Sequence, residues 1–315
     1  MSRTAVIAIG GNSLIRDRMH QSVRDQYIAA QETCHHIASM IGDGWDVAIG
    51  HGNGPQVGFI LRRSELAAHE LHEVPLDVCG ADSQGAIGYA LQQNLDNDLR
   101  RKGLARSVVT VITQVEVAAD DPAFTRPTKP IGTFMSEEQA KVRREKDGWD
   151  VVDDANRGWR RVVSSPNPVR IVELDAVKAL LAARAVVITV GGGGIPVVAD
   201  ENGDLHGVAA VIDKDLASSL LASLLGAELF LISTAVEKVA LNFGKPDQRE
   251  VDHLTLSQVK QYLNEGTHFA PGSMKPKMEA VVGYLERGGK EAVITNPENM
   301  ERALAGQTGT RITLG

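Results

Sequence analysis

An α/β fold built on a parallel sheet is predicted by two observations. Short apolar segments alternate with longer ones whose apolar residues recur every three or four positions, the βαβ pattern. Three of the short segments run directly into glycine-rich turns, at Gly10-Gly11, His51-Gly52-Asn53-Gly54 and Gly191 to Gly194. The 315 residues suffice for two lobes on one sheet, since a chain of about 300 residues buries roughly 75% of the surface it exposes when unfolded.

Residues 4–9 are uniformly apolar and stop at paired glycines, as a buried parallel strand entering a tight turn should. In the helix that follows, Val23, Tyr27, Ala30, Cys34, Ile37 and Ile41 form one continuous face. Gly42-Asp43-Gly44 ends it, residues 46–49 form the second strand, and Pro55 suits the first turn of the next helix. A further helix is expected over 83–101 and a β-branched strand over 107–112. Alternation resumes with a helix over 173–183, a strand over 185–190, a helix over 214–225 and a strand over 229–234. The C-terminal part adds helices over 255–264, 275–287 and 297–304, a strand over 292–295, and a final edge strand over 310–314.

Between about residues 118 and 168 this rhythm breaks. Prolines 122, 127, 130, 166 and 168, two tryptophans and the charged run 137–147 replace it. Fifty residues of that kind read as an inserted subdomain, more often a lid than a plain loop. It divides an N-terminal lobe over 1–200, and 201–315 form the C-terminal lobe.

Thirty-three basic against forty acidic residues give a net charge of −7 without a basic tail, which argues against nucleic acid as a partner. No apolar run approaches the ~18 residues of a membrane span, and the chain opens on a strand without a leader pattern; a cytoplasmic protein is expected. Cys34 and Cys79, in a predicted helix and a predicted loop, have neither metal-ligand nor redox spacing.

Glycine turns after parallel strands admit an oxyanion to backbone N–H groups at one sheet edge. None here fits the Walker pattern or the dinucleotide fingerprint, which disfavours a P-loop kinase and a dehydrogenase. Phosphoryl transfer asks chiefly for positioned charge, so lysines matter. Lys214 lies between Asp213 and Asp215 at a helix start, after the apolar stretch 208–212, an arrangement that also suits a plain helix cap. Lys277 follows Pro276 near another helix N-terminus, where a cation is unfavourable unless an anion is to be met.

Gly10-Gly11-Asn12, the stretch His51-Gly52-Asn53-Gly54-Pro55-Gln56-Val57-Gly58, Pro127-Thr128-Lys129-Pro130-Ile131-Gly132, Arg157-Gly158-Trp159, Gly191 to Pro196, Asp213-Lys214-Asp215, Asn242 to Pro246 and Gly272-Ser273-Met274 with Pro276-Lys277 occur in that order. Together they closely resemble the motifs of the carbamate kinases, within the amino acid kinase family, over nearly the whole chain. The resemblance implies an open, mainly parallel eight-stranded sheet sandwiched by helices, a homodimer, and reversible phosphoryl transfer between ATP and carbamate with Mg²⁺, often toward ATP. It implies that Gly10, Gly11, Asn12, Gly52, Asn53, Gly54, Gly192 and Gly193 cradle carbamate or carbamoyl phosphate. Lys214 and Lys277 would stabilise the transferring group, Asp215 would hold them, and Lys129 would reach in from the lid. Asp213, Thr234, Val236, Phe243, Lys245, Pro246 and Met274 would surround the nucleotide, with no protein metal site because Mg²⁺ travels with the phosphates. For Phe243 a place in the core is an equal reading.

Several positions depart from the family pattern. Ala8 stands where related acid kinases carry a lysine, and Gly50, Ala209, Asn156 and Lys275 replace threonine, glutamate, glycine and a small or apolar residue. These departures keep open a kinase acting on another small carboxylate. A nucleotide-binding regulator without catalysis is the remaining alternative, and the presence of Lys214, Asp215 and Lys277 speaks against it. His51 is expected to shape its loop, because carbamate is already an anionic nucleophile and needs no general base.

Overall fold

The computed structural model describes residues 3–11, 14–15, 19–153 and 158–315. Its centre is an eight-stranded sheet whose strands lie edge to edge as His253–Thr255, Thr310–Thr313, Glu291–Thr295, Leu229–Ser233, Arg3–Ile9, Trp45–His51, Val186–Ile188 and Val108–Thr110. All neighbours are parallel except Thr310–Thr313 against Glu291–Thr295. Thr310–Thr313 is therefore not the edge strand that the sequence suggests. His253–Thr255 pairs outside it, a strand too short to show periodicity.

Register decides where the turns open. Ile9 is level with His51 on one side and Ser233 on the other, so the turns after these three strands leave the same sheet edge. Strand alternation sends Val6, Ala8, Phe230 and Ile232 into one core cluster and Ala5, Ile7, Ile9 and Leu231 into the other. Helices cover both faces, which accounts for the uniformly apolar strands.

The helix Val23–Gly42 begins with a capping box between Ser22 and Asp25, and Ala30, Cys34, Ile37 and Ile41 are buried as the spacing requires. Val23, at the start of that stripe, is exposed instead. The next long helix spans Leu76–Arg101, beginning well before residue 83 and enclosing Cys79, which the sequence places in a loop. Glycines 80, 85 and 88 suggest a break there. Gly88 has a packing reason, since a Cβ on it would come 2.3 Å from Thr110 Cγ2 of the edge strand.

The described residues of the segment that interrupts the rhythm form strands and a helix of their own. Lys129–Met135, Trp159–Val163 and Val151–Asp153 form an antiparallel three-stranded sheet, and the charged run is the helix Glu137–Asp147, with a Ser136–Gln139 capping box and Gly148 in the left-handed region after it. Ile131 and Val163 join Val57, Leu76 and Cys79 in a small cluster beneath it. A second sheet, Leu205–Gly207, Ile195–Ala199, Gln114–Val117 and Pro168–Ile171, flanks the insertion. Where Lys129–Met135 meets the helix Gly54–Ala67, a Cβ on Gly58 would stand 2.8 Å from Gly132 Cα, so backbone touches backbone.

Candidate functional site

The helix Lys214–Leu224 brings its first turn to the sheet edge where the glycine turns open. Asp213 caps it through Oδ1, which accepts the Asp215 N–H at 2.9 Å. The cap leaves Asp213 Oδ2 free to accept from Lys129 Nζ at 2.6 Å. Asp215 is buried and its two oxygens serve two cations: Oδ1 accepts from Lys214 Nζ, and Oδ2 from Lys277 Nζ at 2.9 Å. Lys277 lies in the first turn of the helix Met274–Glu286, so its unfavourable place on the helix dipole is offset by Asp215.

Three ammonium groups against two carboxylates leave net positive charge here, in a chain that is net negative. Burial lowers the Lys214 pKa, with Asp215 opposing and Lys277 reinforcing the shift. Burial also acts on Lys277, but the Asp215 carboxylate outweighs it and the pKa rises. Burial of Asp213 is outweighed by the ammonium groups of Lys129 and Lys214, which hold its carboxyl well below the usual range.

The glycine turns close on this cluster. Gly10 N–H donates to Ser233 O and Gly52 N–H to Ile9 O, each at 2.9 Å. A Cβ on Gly52 would lie 3.3 Å from Lys214 Cδ and 3.7 Å from Gly11 N, so the first two turns and Lys214 are immediate neighbours. Gly192 has φ +67°, and a Cβ there would fall 2.0 Å from Asn53 Nδ2; on Gly193, with φ +94°, it would fall 2.3 Å from Ile212 O. Only glycine fits either position. Gly54 begins the helix Gly54–Ala67, with Asn53 at its N-cap. Asn12 lies outside the described residues. His51 is fully buried and its Nδ1 is 3.0 Å from Gly52 O; burial lowers its pKa to about 4, so it is a neutral loop-shaping group.

A profile of the amino acid kinase family matches residues 3–296. The chain belongs to the amino acid kinase family. It is 46% identical to the carbamate kinase of Lentilactobacillus hilgardii, the alignment covering 99% of this chain and 98% of that one. It is 49% identical to the carbamate kinase-like protein YahI of Escherichia coli (strain K12), covering 99% of both. The solved carbamate kinase from Giardia lamblia bound to AMP-PNP superposes with a TM-score of 0.91 at 40% identity, covering 99% of this chain and 98% of that one.

The residues that the resemblance assigns to a nucleotide lie in the C-terminal part. Val236, Phe243 and Met274 line a cavity of about 130 Å³ together with Lys238, Gln248 and Glu250. Phe243 is 61% exposed beside it, which excludes the core reading. Thr234 N–H donates to Thr295 O at the end of its strand. Lys245 and Pro246 are exposed outside that cavity, and Lys245 Nζ donates to Thr267 O at 3.1 Å.

The departures find physical accounts in part. A side chain at Gly50 would put its Cβ 2.4 Å from Ser218 Oγ, so glycine here matches a serine on the Lys214 helix. Ala209 is exposed on a cleft beside Asp77 and Arg161, and Lys275 is half-exposed; Asn156 and Arg157 lie outside the described residues.

Sequence reasoning missed the residues that shape the third glycine turn. Gln84 accepts from Thr113 N–H at 2.7 Å and donates to Gly191 O at 2.9 Å and Thr113 O at 3.0 Å. Thr113 Oγ1 accepts from the N–H of Val190, a β-branched residue at φ +44°. Ser83 Oγ accepts from Asn53 Nδ2 at 2.8 Å. These partners are 29 to 107 positions apart and carry no local signal.

Proposed function

We propose that this protein is a carbamate kinase, interconverting ATP plus carbamate with ADP plus carbamoyl phosphate and running chiefly toward ATP. The observation that carries it is the pairing of Lys214 and Lys277 on the two oxygens of Asp215, at the mouth of three glycine turns. Full-length likeness to carbamate kinases supports the acceptor.

A carbamate oxygen attacks the γ-phosphorus, the bond to the β-bridging oxygen breaks, and ADP leaves with the electron pair. No proton need move. Lys214 and Lys277 balance charge on the equatorial oxygens, and each such pair is worth about 4 kcal/mol at ~4 Å and an effective dielectric near 20. Asp215 holds both cations in place before substrate arrives, so little reorganisation is needed in the transition state. The turns carrying Gly10, Gly11, Asn12, Gly52, Asn53, Gly54, Gly192 and Gly193 cradle acceptor and phosphoryl group; the N–H groups of Gly10, Gly52 and Gly193 shape the turns by bonding Ser233 O, Ile9 O and Val190 O, and other backbone N–H groups of the turns face the ligand. The 201–315 lobe binds nucleotide through Asp213, Thr234, Val236, Phe243, Lys245, Pro246 and Met274. The insertion over about 118–168 is a lid on the 1–200 lobe and brings Lys129 to the acceptor. Both aspartates are engaged by lysines, so Mg²⁺ would take its ligands from nucleotide phosphates and water and would lower the charge of the phosphate chain.

No helix among the described residues is long and apolar enough to cross a membrane. We place the enzyme in the cytoplasm as a homodimer, a reading supported by exposed Val23, Ile28 and Tyr89 on the two outer helices Val23–Gly42 and Leu76–Arg101.

The test is ATP formation from carbamoyl phosphate, ADP and Mg²⁺, with Lys277→Ala alongside. Turnover in the parent and a kcat lower by about 10²–10³-fold in the variant are expected. Turnover with another small acid but none with carbamoyl phosphate would shift the acceptor assignment, for which the likeness to carbamate kinase-like proteins and the Gly50–Ser218 fit are the grounds.

A further inference from the structure

Away from the transfer cluster, the insertion and the helix Gly54–Ala67 enclose a cavity of about 290 Å³ beyond the Gly58–Gly132 contact. Three of its lining residues are arginines, Arg62, Arg143 and Arg161, and the one carboxylate among them is Glu65. Glu65 Oε2 already accepts from Arg62 at 3.1 Å and from Arg143 at 2.9 Å, and Asp147 pairs with Arg143 at 2.8 Å. Arg161 has no ion-pair partner among the described residues; its guanidinium stacks at 4.7 Å from the Trp149 ring centroid.

That placement is costly. The Arg143 guanidinium lies at the same 4.7 Å from the same ring, so two like charges share one indole in a partly desolvated cleft. Burial lowers the Arg161 pKa and Arg143 adds to the effect, while Glu65, Asp147 and Asp150 oppose it from a distance. A larger cleft alongside, of about 610 Å³, shares Arg143, Arg161 and Trp149 with this cavity and adds Glu73, Asp77 and Asp147, so acid groups line the outer side of Arg161 while Arg62 faces the inner cavity alone.

We propose that this cavity is a binding site for a small oxyanion, a carboxylate or a phosphate, held by Arg161 with Arg62 and Arg143. A planar guanidinium fixed against an aromatic ring offers paired N–H donors to such a group without further loss of rotamer freedom. Leu61, Ile131 and Phe134 supply apolar wall for a short carbon body. The three arginines come from three elements: the helix that begins at Gly54, the insertion's helix Glu137–Asp147, and its strand Trp159–Val163. An anion shared among them ties the insertion to the helix that starts in the acceptor turn. Its effect on closure rests on the lid reading above; the binding does not.

The test uses the full chain with Trp45→Phe and Trp159→Phe, which leaves Trp149 as the fluorescent reporter. Inorganic phosphate and malonate are titrated separately, and the anion that gives a saturable change identifies the ligand class. Arg161→Gln should weaken that binding by at least about tenfold, Arg62→Gln, on a more exposed helix position, should weaken it in the same direction, and Lys277→Ala should leave it unchanged. No saturable change with either anion would overturn the proposal. So would a change that persists within about twofold in both arginine variants, or one that Lys277→Ala abolishes, since the signal would then come from the transfer site.

Discussion

Lys129 donates to Asp213 across 2.6 Å, although 84 positions separate the two residues. A strand of the insertion thereby touches the N-cap of the helix that carries Lys214 and Asp215. The lysine side chain keeps 32% of its exposure, so the pair contributes only about 1 kcal/mol and yields readily to a substrate oxyanion. Lys129→Ala should lower kcat/KM for carbamoyl phosphate about 10²-fold while the Kd for ADP stays within about twofold. A coupled ATP assay and calorimetry with ADP measure the two. Equal losses in both would make the contact merely structural.

Asp215 accepts from both Lys214 and Lys277, the lysines proposed to stabilise the transferring group. In Asp215→Asn the shape survives and the negative charge does not, so kcat should fall on the order of 10²-fold. The pH profile separates this role from loss of fold. Burial already lowers Lys214, and without the carboxylate its ammonium loses a proton at lower pH still. The alkaline limb of kcat/KM should therefore move toward lower pH, and an unmoved limb would argue against electrostatic support by Asp215.

Gly192→Ala tests the closeness of the third turn. The new methyl would occupy the place of Asn53 Nδ2, at a backbone φ of +67° that alanine disfavours by about 1–2 kcal/mol. Displacing Asn53 from Ser83 adds a buried unsatisfied amide costing about 1–3 kcal/mol. Thermal unfolding should show a Tm lower by several degrees, and activity should fall with it.

His51 gives the fold a pH dependence. Its pKa is lowered from 6.5 to about 4 by burial, so between these values the unfolded chain binds the extra proton. The stabilisation is complete above pH 6.5 and is lost as pH falls toward 4, to the extent of about 3 kcal/mol. Denaturant titrations at pH 7 and pH 4.5 should show this slope reduced in His51→Asn. An unchanged slope would assign the acid sensitivity to other groups.

Most strands and helices around the central sheet, the three glycine turns and the charges of Lys214, Asp215 and Lys277 were legible in the amino-acid sequence because each is a local pattern: an apolar run, a missing Cβ, a charge beside a helix start; Lys129 was singled out by the resemblance to the carbamate kinases. The same locality explains the errors. His253–Thr255 is too short to show a period, and the glycines of Leu76–Arg101 resemble a loop until Thr110 is seen against Gly88. The insertion read as a break because its sheet is antiparallel and buries little; Ile131 and Val163 find cover on Val57, Leu76 and Cys79, with Ile60, Leu61, Val74 and Val211, from elsewhere in the chain. Partnership was decided by the tertiary structure alone. Which carboxylate oxygen receives which lysine, that Gln84 clamps Gly191, and that the Arg161 guanidinium stacks on the Trp149 indole all depend on side chains that the sheet register and helix packing bring together over tens of residues. Hydrogen bonds and ion pairs act over about 3–4 Å, a scale on which sequence separation carries no information.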